Sequence, residues 1–167
     1  ANSAGIIGWQ QSHGDWIRPG LMIYGVSPML DKSGADHGLK PVMCLKTRLI
    51  EIKRINKGES TGYGANWVST KDTYLGIIAM GYGDGYPRHA QTGTPVMVNG
   101  RKVPLVGRVS MDMITIDLGD VLQDKVADEV ILWGPELPVE VIAKHAETIP
   151  YELLCNITPR VDYKYVE

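Results

Sequence analysis

The segment "TPVMVNGRKVPLVG", residues 94–107, decides the fold class. Asn99-Gly100 stands between two apolar-rich runs. This dipeptide is the strongest short signal for a tight β-hairpin, because both turn positions require positive φ. The flanking sequence continues in the same mode. Downstream, "SMDMITIDLG" (110–119) alternates Ile114, Ile116 and Leu118 against Met113, Thr115 and Asp117, the two-residue period of a strand with one buried face. "DEVILWG" (128–134) reads as a further strand. Upstream, "TYLGIIAMGYG" (73–83) is a short buried strand running into a glycine-rich turn. "VMCLKTRLIEIKRI" (42–55) is a long β run whose apolar parity shifts near Leu49 and Ile50, which predicts a bulge.

Past residue 136 the period changes. In "LPVEVIAKHAET" (137–148), Val139, Ile142, Ala143 and Ala146 fall at i, i+3, i+4 and i+7, the stripe of an amphipathic helix, with Pro138 suited to its first turn. "PYELLCNI" (150–157) predicts a second short helix, and "RVDYKYVE" (160–167) a closing strand. The expected fold is mainly β with two short helices over residues 39–167. Residues 1–38 read differently, as small residues, a loop, a strand-like run "LMIYGV" (21–26) and a linker or exposed loop at 33–38. That segment is too short to fold alone. Its apolar run is expected to be exposed or covered by a partner.

Composition narrows the function classes. The chain has 167 residues, 44% hydrophobic and 22% charged, with a net charge of −2. Nothing here favours nucleic-acid or anionic-membrane binding, and no apolar run approaches the roughly 20 residues of a membrane-spanning helix. The two cysteines, Cys44 and Cys155, match no metal spacing. Both are expected to be buried free thiols, which fits a cytoplasmic location. His13, His37, His89 and His145 show no ligand spacing, so no metal site is expected. The opening "ANSAGIIGWQ" lacks the features of a signal peptide and is expected to begin inside a fold.

Tyrosines set between glycines are the main candidates for chemistry. Tyr63 lies in "STGYGANW" (60–67) and Tyr82 in "MGYGDGYPR" (80–88). Glycines there allow positive φ and the close approach of a ligand or another chain. A free tyrosine has a pKa near 10 and is a weak base until cations stabilise its phenolate. Asp84, Arg88 and His89 could form a polar mouth beside Tyr82. Arg18, before Pro19-Gly20, is held extended, and Gly20 with the next amide could bind an anion, as could Ser3 at a helix start. "GRVSMDM" (107–113) sets Arg108, Met111 and Asp112 between two strands. Each feature also has a plain reading as a loop, a turn or a surface ion pair. Locally the sequence names no reaction.

In this order, "ANSAG", "WIRPGLMIYGVSPM", "GYGANW", "MGYGDGYPR", "VGRVSMDM" and "YELLCNITPRV" resemble bacterial alanine racemase across essentially the whole chain. The resemblance implies a carboxyl-terminal remnant of a (β/α)8 barrel over residues 1–38, followed by the family's β domain over 39–167. It also implies a homodimer using pyridoxal 5'-phosphate to interconvert L- and D-alanine for peptidoglycan, with each site completed by the second subunit's barrel. Ser3, Gly20, Leu21 and Tyr151 would hold the cofactor phosphate, and Arg18 would face the pyridine nitrogen. Tyr63 would be the base on one face of the substrate Cα, and Met111 would offer its N–H to the substrate carboxylate. Tyr82 would gate an entry channel lined by Arg88, Arg108, Asp112 and Ile149.

Racemisation removes a proton from one face of Cα and returns one to the other, so it needs two acid/base groups. In the resembled family the second is the lysine that carries the cofactor. Lys32, Lys40 and Lys46 do not lie in that lysine's motif, so the chain as given is expected to be inactive and to hold no cofactor covalently. The alternatives are a related pyridoxal-phosphate racemase or decarboxylase of the same fold type, and a non-catalytic β-barrel dimerisation module.

Overall fold

The computed structural model describes residues 1–166. Eight strands are present: β1 (Leu45–Ile55), β2 (Ser60–Thr61), β3 (Trp67–Val68), β4 (Thr73–Ile78), β5 (Pro95–Val98), β6 (Arg101–Pro104), β7 (Ile114–Gly119) and β8 (Glu129–Trp133). Six of them form one sheet in the order β6-β5-β8-β1-β4-β7, while β2 and β3 pair separately. A bridge from Leu105 to Ile116 brings the end of β6 against β7, so the large sheet nearly closes on itself. The pairs are antiparallel throughout.

The expected hairpin is β5–β6. Asn99 and Gly100 both adopt positive φ, at 48° and 76°, as a tight right-twisting turn requires. The Asn99 carboxamide also donates to Asp124 and Asp128, anchoring the turn to the segment before β8. In β7 the alternation holds, with Ile114, Ile116 and Leu118 buried and the intervening residues partly exposed. Each such burial is worth about 1.5–3 kcal/mol. The parity break in β1 is a bulge, where the register with β4 shifts between Leu49 and Glu51. Ahead of it β1 pairs with β8, and beyond it with β4.

Among the described residues there are three α-helices: α1 (Ser3–Gly8), α2 (Val139–His145) and α3 (Pro150–Cys155). The apolar stripe of α2 buries Val139, Ile142, Ala143 and Ala146 against the core. Pro138 sits at its N-cap, with its carbonyl accepting from the Val141 N–H. Glu140 faces the amino-terminal segment, where its Oε1 accepts from the N–H groups of Ser27 (3.0 Å) and Gly34 (2.9 Å).

Several expectations need correction. "LMIYGV" is no strand, because Leu21–Tyr24 form a 3₁₀ turn closed by Gly25 in the left-handed region. Among the described residues no strand lies beside it to complete a ladder, and the segment satisfies its backbone through a turn of its own (Gly25 N–H to Met22) and through the side chains of Ser3 and Tyr151. Leu21 and Val26 are buried, and Ile23 and Tyr24 are exposed, so the apolar run is only partly uncovered. Residues 33–38 are an exposed loop at Ala35, Asp36 and Gly38, but no loose linker, because Gly34 is buried and a Cβ there would lie 2.1 Å from the Gly25 carbonyl.

Residues 160–166 form no closing strand. Val161 packs on the core, while Tyr163, Tyr165 and Val166 stand exposed. The remaining residue of that expected strand, Glu167, lies outside the described residues. Cys44 and Cys155 are free thiols but exposed, not buried. Leu45, one residue past Cys44, takes the core position, and Leu153 is the buried residue of α3. The partial burial of Cys44 still pushes its thiol pKa up.

The bulge makes a sharp prediction. Leu49 is 1% exposed and Ile50 is 46% exposed. In urea unfolding, Leu49→Ala should cost about 2–5 kcal/mol, and Ile50→Ala about 0.5 kcal/mol or less. Equal costs would contradict the register.

Candidate functional site

Two groups of the expected site residues assemble, from different parts of the chain. The first joins the amino-terminal segment to α3. Ser3, buried at the start of α1, accepts at Oγ from the N–H of Gly20 (2.9 Å) and of Met22 (3.3 Å). Tyr151, in the first turn of α3, accepts at Oη from the Leu21 N–H (2.8 Å). Two hydroxyls and three consecutive backbone amides thus converge, joining residues up to 130 apart in sequence. A Cβ at residue 20 would lie 2.8 Å from the Tyr151 Oη, so the approach depends on glycine. Ser3, Leu21, Ile149 and Tyr151 also line a cavity of about 740 Å³ that runs along residues 27–33 and α2. The Arg18 side chain is exposed beside this group, while its N–H donates to the Ala1 carbonyl (2.8 Å).

The second group lies on loops of the β domain. Tyr63 opens a short turn between Gly62 and Gly64, both at positive φ (79° and 76°), and is 73% exposed. Asn66 in the same turn faces Arg108. With its carboxamide oxygen turned to the guanidinium it accepts from Nε and Nη2, and its nitrogen donates to the Gly64 carbonyl (3.1 Å). Arg88, Arg108, Asn66 and His89 line a cleft of about 470 Å³, which shares no residue with the first cavity. Arg88 also lies over the Tyr82 ring, 6.0 Å from its centre, within cation–π range.

The Tyr82 loop and the Met111 loop are laced together by backbone. Tyr82 N–H donates to Ser110 (3.0 Å) and Gly83 N–H to Met111 (2.9 Å). Sequence reading missed the residue that spans them. Arg160 donates from Nη2 to Asp112 (2.6 Å), and its Nε lies 3.2 Å from Asp84. These carboxylates hold its guanidinium pKa above the ordinary value, the Asp112 hydrogen bond first and the Asp84 charge second. Asp112 therefore pairs with Arg160, not with Arg108 as a plain surface pair in "GRVSMDM" would have it. Arg160 stands in the quoted "NITPRV" stretch, but only the fold shows what it reaches.

The tyrosines separate by environment. Tyr86, in the same loop as Tyr82, is buried and stacked on Trp133, and burial pushes its phenol far above the ordinary tyrosine range. It stays neutral and is excluded as a base. Tyr63 and Tyr82 both reach solvent, as do Tyr24, Tyr151, Tyr163 and Tyr165. Among the described residues no group of three or more His, Cys, Asp or Glu side chains could hold a metal ion, and no helix is long and apolar enough to cross a membrane.

The sheet, its helices and these loops form a nearly closed β domain with an amino-terminal segment bonded to α3. Residues 42–165 match the family model "Alanine racemase, C-terminal domain", and residues 1–28 match "Alanine racemase, N-terminal domain". The chain is 61% identical over 166 residues to an alanine racemase of Aeromonas hydrophila, covering 99% of this chain and 46% of the relative. It is 58% identical to one of Vibrio parahaemolyticus, covering 100% and 47%. Its fold superposes on a crystal structure of the biosynthetic alanine racemase from Pseudomonas aeruginosa with a TM-score of 0.98 at 47% identity, over 100% of this chain and 47% of that one. The chain belongs to the alanine racemase family. It spans just under half the length of these relatives.

The contact across the first group is testable by itself. Tyr151→Phe removes the acceptor of the Leu21 N–H and should lower stability by about 1 kcal/mol, read as a shift in the urea midpoint. An unchanged midpoint would show that the amino-terminal segment is held by packing alone.

Proposed function

We propose that these residues work as the carboxyl-terminal part of an alanine racemase, a cytoplasmic homodimer that interconverts L- and D-alanine with pyridoxal 5'-phosphate and supplies D-alanine for peptidoglycan. The observation that carries the reading is the cradle of Ser3, Gly20, Leu21 and Tyr151, supported by the family membership. Its donor chemistry fits a phosphate: the Ser3 and Tyr151 hydroxyls, which accept from the backbone amides of residues 20–22, can turn their own O–H groups to an anion, around a glycine that leaves room for them. Arg18, which only donates hydrogen bonds, would face the pyridine nitrogen and leave it unprotonated. When bound, the cofactor supplies an electron sink for the charge left at Cα as its proton departs.

The chain's own residues handle the rest. Tyr63 takes or returns a proton through its Oη at one face of Cα, and a lysine outside these residues serves the other face. The Met111 N–H donates to the substrate carboxylate. Tyr82, with Arg88 lying over it, gates the approach, and Arg108, Asp112 and Ile149 line it. A homodimer fits the separation of the two groups, since Tyr63 and Met111 of one subunit would then meet the cradle of the other. On this reading residues 1–38 belong to the barrel and 39–167 to the β domain.

The test is D-alanine formation from L-alanine by the full-length enzyme carrying these residues, against a panel of other amino acids. In that enzyme Tyr63→Phe should lower turnover by about 10²–10⁴-fold, far more than it weakens substrate binding, and unequally in the two directions. Equal and mild losses would leave Tyr63 a structural residue.

A second prediction concerns the 167-residue polypeptide alone. It should form no D-alanine with added pyridoxal phosphate, because none of its lysines lies in the cofactor-carrying motif. Measurable D-alanine would overturn this.

A further inference from the structure

We infer that Arg160 is a positioning residue that holds the substrate-facing loop of Met111 in place by clamping two carboxylates, Asp112 and Asp84. This inference rests on the proposed racemase activity.

The geometry is specific. Asp112 follows Met111 directly, and its Oδ1 takes the 2.6 Å hydrogen bond from Arg160 Nη2. Asp84 closes the other loop: its Oδ1 faces Arg160 Nε at 3.2 Å, and its Oδ2 accepts from the Gly81 N–H at 2.9 Å. One guanidinium therefore joins the loop carrying Met111 to the loop carrying Tyr82. A planar fork with several fixed donors suits such a bridge, and a lysine does not supply one.

The stretch that carries Arg160 is itself fixed to the same loop. The Thr158 N–H donates to the Asp84 carbonyl (3.1 Å), and the Thr158 Oγ1 donates to the Gly83 carbonyl (2.9 Å). Glycines make room for the clamp. A Cβ on residue 83 would lie 2.2 Å from Arg160 Nη1, and one on residue 85 would lie 2.1 Å from the Asn156 carbonyl.

The consequence falls on one atom. The Met111 carbonyl is held by the Gly83 N–H (2.9 Å). Among the described residues the Met111 N–H has no protein acceptor, and Met111 is exposed, so this N–H is open to water or a ligand. The Met111 N–H itself lies in the peptide plane of the Ser110 carbonyl, which the Tyr82 N–H holds (3.0 Å), and Arg160 pins Asp84 and Asp112 on the two sides of that plane. Releasing Arg160 frees both Asp112 and the Asp84 closure of the Tyr82 loop and, through the Tyr82–Ser110 hydrogen bond, the direction of the Met111 N–H. Arg160 and Asp112 are both about half exposed, so the clamp acts by geometry more than by burial energy.

The experiment uses the full-length enzyme with Arg160→Gln, Arg160→Lys and, as a surface control, Arg54→Gln. Propionate, which is alanine without its amino group, reads carboxylate recognition as a competitive inhibitor. Arg160→Gln should raise KM for alanine and the inhibition constant of propionate together, each about tenfold, with kcat within about twofold. Arg160→Lys should recover part of both, and Arg54→Gln should change neither. If Arg160→Gln does not fold, Arg160→Lys carries the same readout with a smaller change. Loss of kcat or of thermal stability with KM and propionate inhibition unchanged overturns the clamp. An inactive wild-type enzyme would instead sink the racemase reading, so the two failures are distinct.

Discussion

The loops that carry this site depend on β1 changing partners at its bulge. Leu45–Arg48 pair with β8 and Leu49–Ile55 with β4, and the shift between Leu49 and Glu51 lets one strand serve both halves of the sheet. The backbone freed at the bulge is not orphaned. Leu49 N–H donates to Asp128 (3.0 Å), and its carbonyl accepts from Ala127 (2.8 Å). An unbroken β1 continuing the parity of Leu45 and Leu49 would turn Glu51 inward and Ile52 outward, and the sheet would lose the local bend at this point. The loops after β4 and before β7, which carry Tyr82 and Met111, leave this nearly closed sheet side by side.

Close approach of backbone is the second constraint. Gly20, Gly81, Gly83 and Gly85 each sit where an added Cβ would fall within 2.8 Å of a neighbouring atom. Apart from Gly85 these are not positive-φ positions, so the requirement is space and not conformation. At Gly81 the neighbours are the Ser110 and Met111 carbonyls, so the two loops touch backbone to backbone. Side chains such as Arg160 then have little slack to take up, and a small displacement of one loop passes to the other.

What the sequence made legible follows from which forces act locally. The β7 alternation, the Asn99-Gly100 turn, the bulge and the α2 stripe all report one face of one element against the core, and period alone reveals that. "LMIYGV" and "RVDYKYVE" carry strand-forming residues as well, but a strand is a property of a pair, and no neighbour in the segment itself announces whether one exists. The cysteines misled for a related reason: a residue beside a buried leucine has apolar sequence neighbours yet points the other way. For the site, the Gly-Tyr-Gly triplet at 81–83 and the "GRVSMDM" motif name two loops that the structure joins backbone to backbone. The pairing of Ser3 with Gly20, of Tyr151 with Leu21 and of Arg160 with two aspartates is long-range and had no local signature.

The division of the site residues into two groups bears on how a tyrosine could work here. Phenol is a weak base near neutral pH, and its activation needs cations close by in a water-poor setting. Tyr63 is 73% exposed, and the nearby guanidinium of Arg108 is already engaged by Asn66. A surface tyrosine so placed meets neither condition within its own subunit. The cradle of Ser3, Gly20, Leu21 and Tyr151 meets the complementary need, since it can grip a phosphate but has no general base beside it among those residues. On the proposed reading each subunit therefore displays half of a site on rigid supports. Association both excludes water from Tyr63 and brings Arg18 of the other chain toward it. The glycines around Tyr63 then serve reach: a turn with two left-handed residues projects the ring beyond the sheet, where a second subunit can cover it.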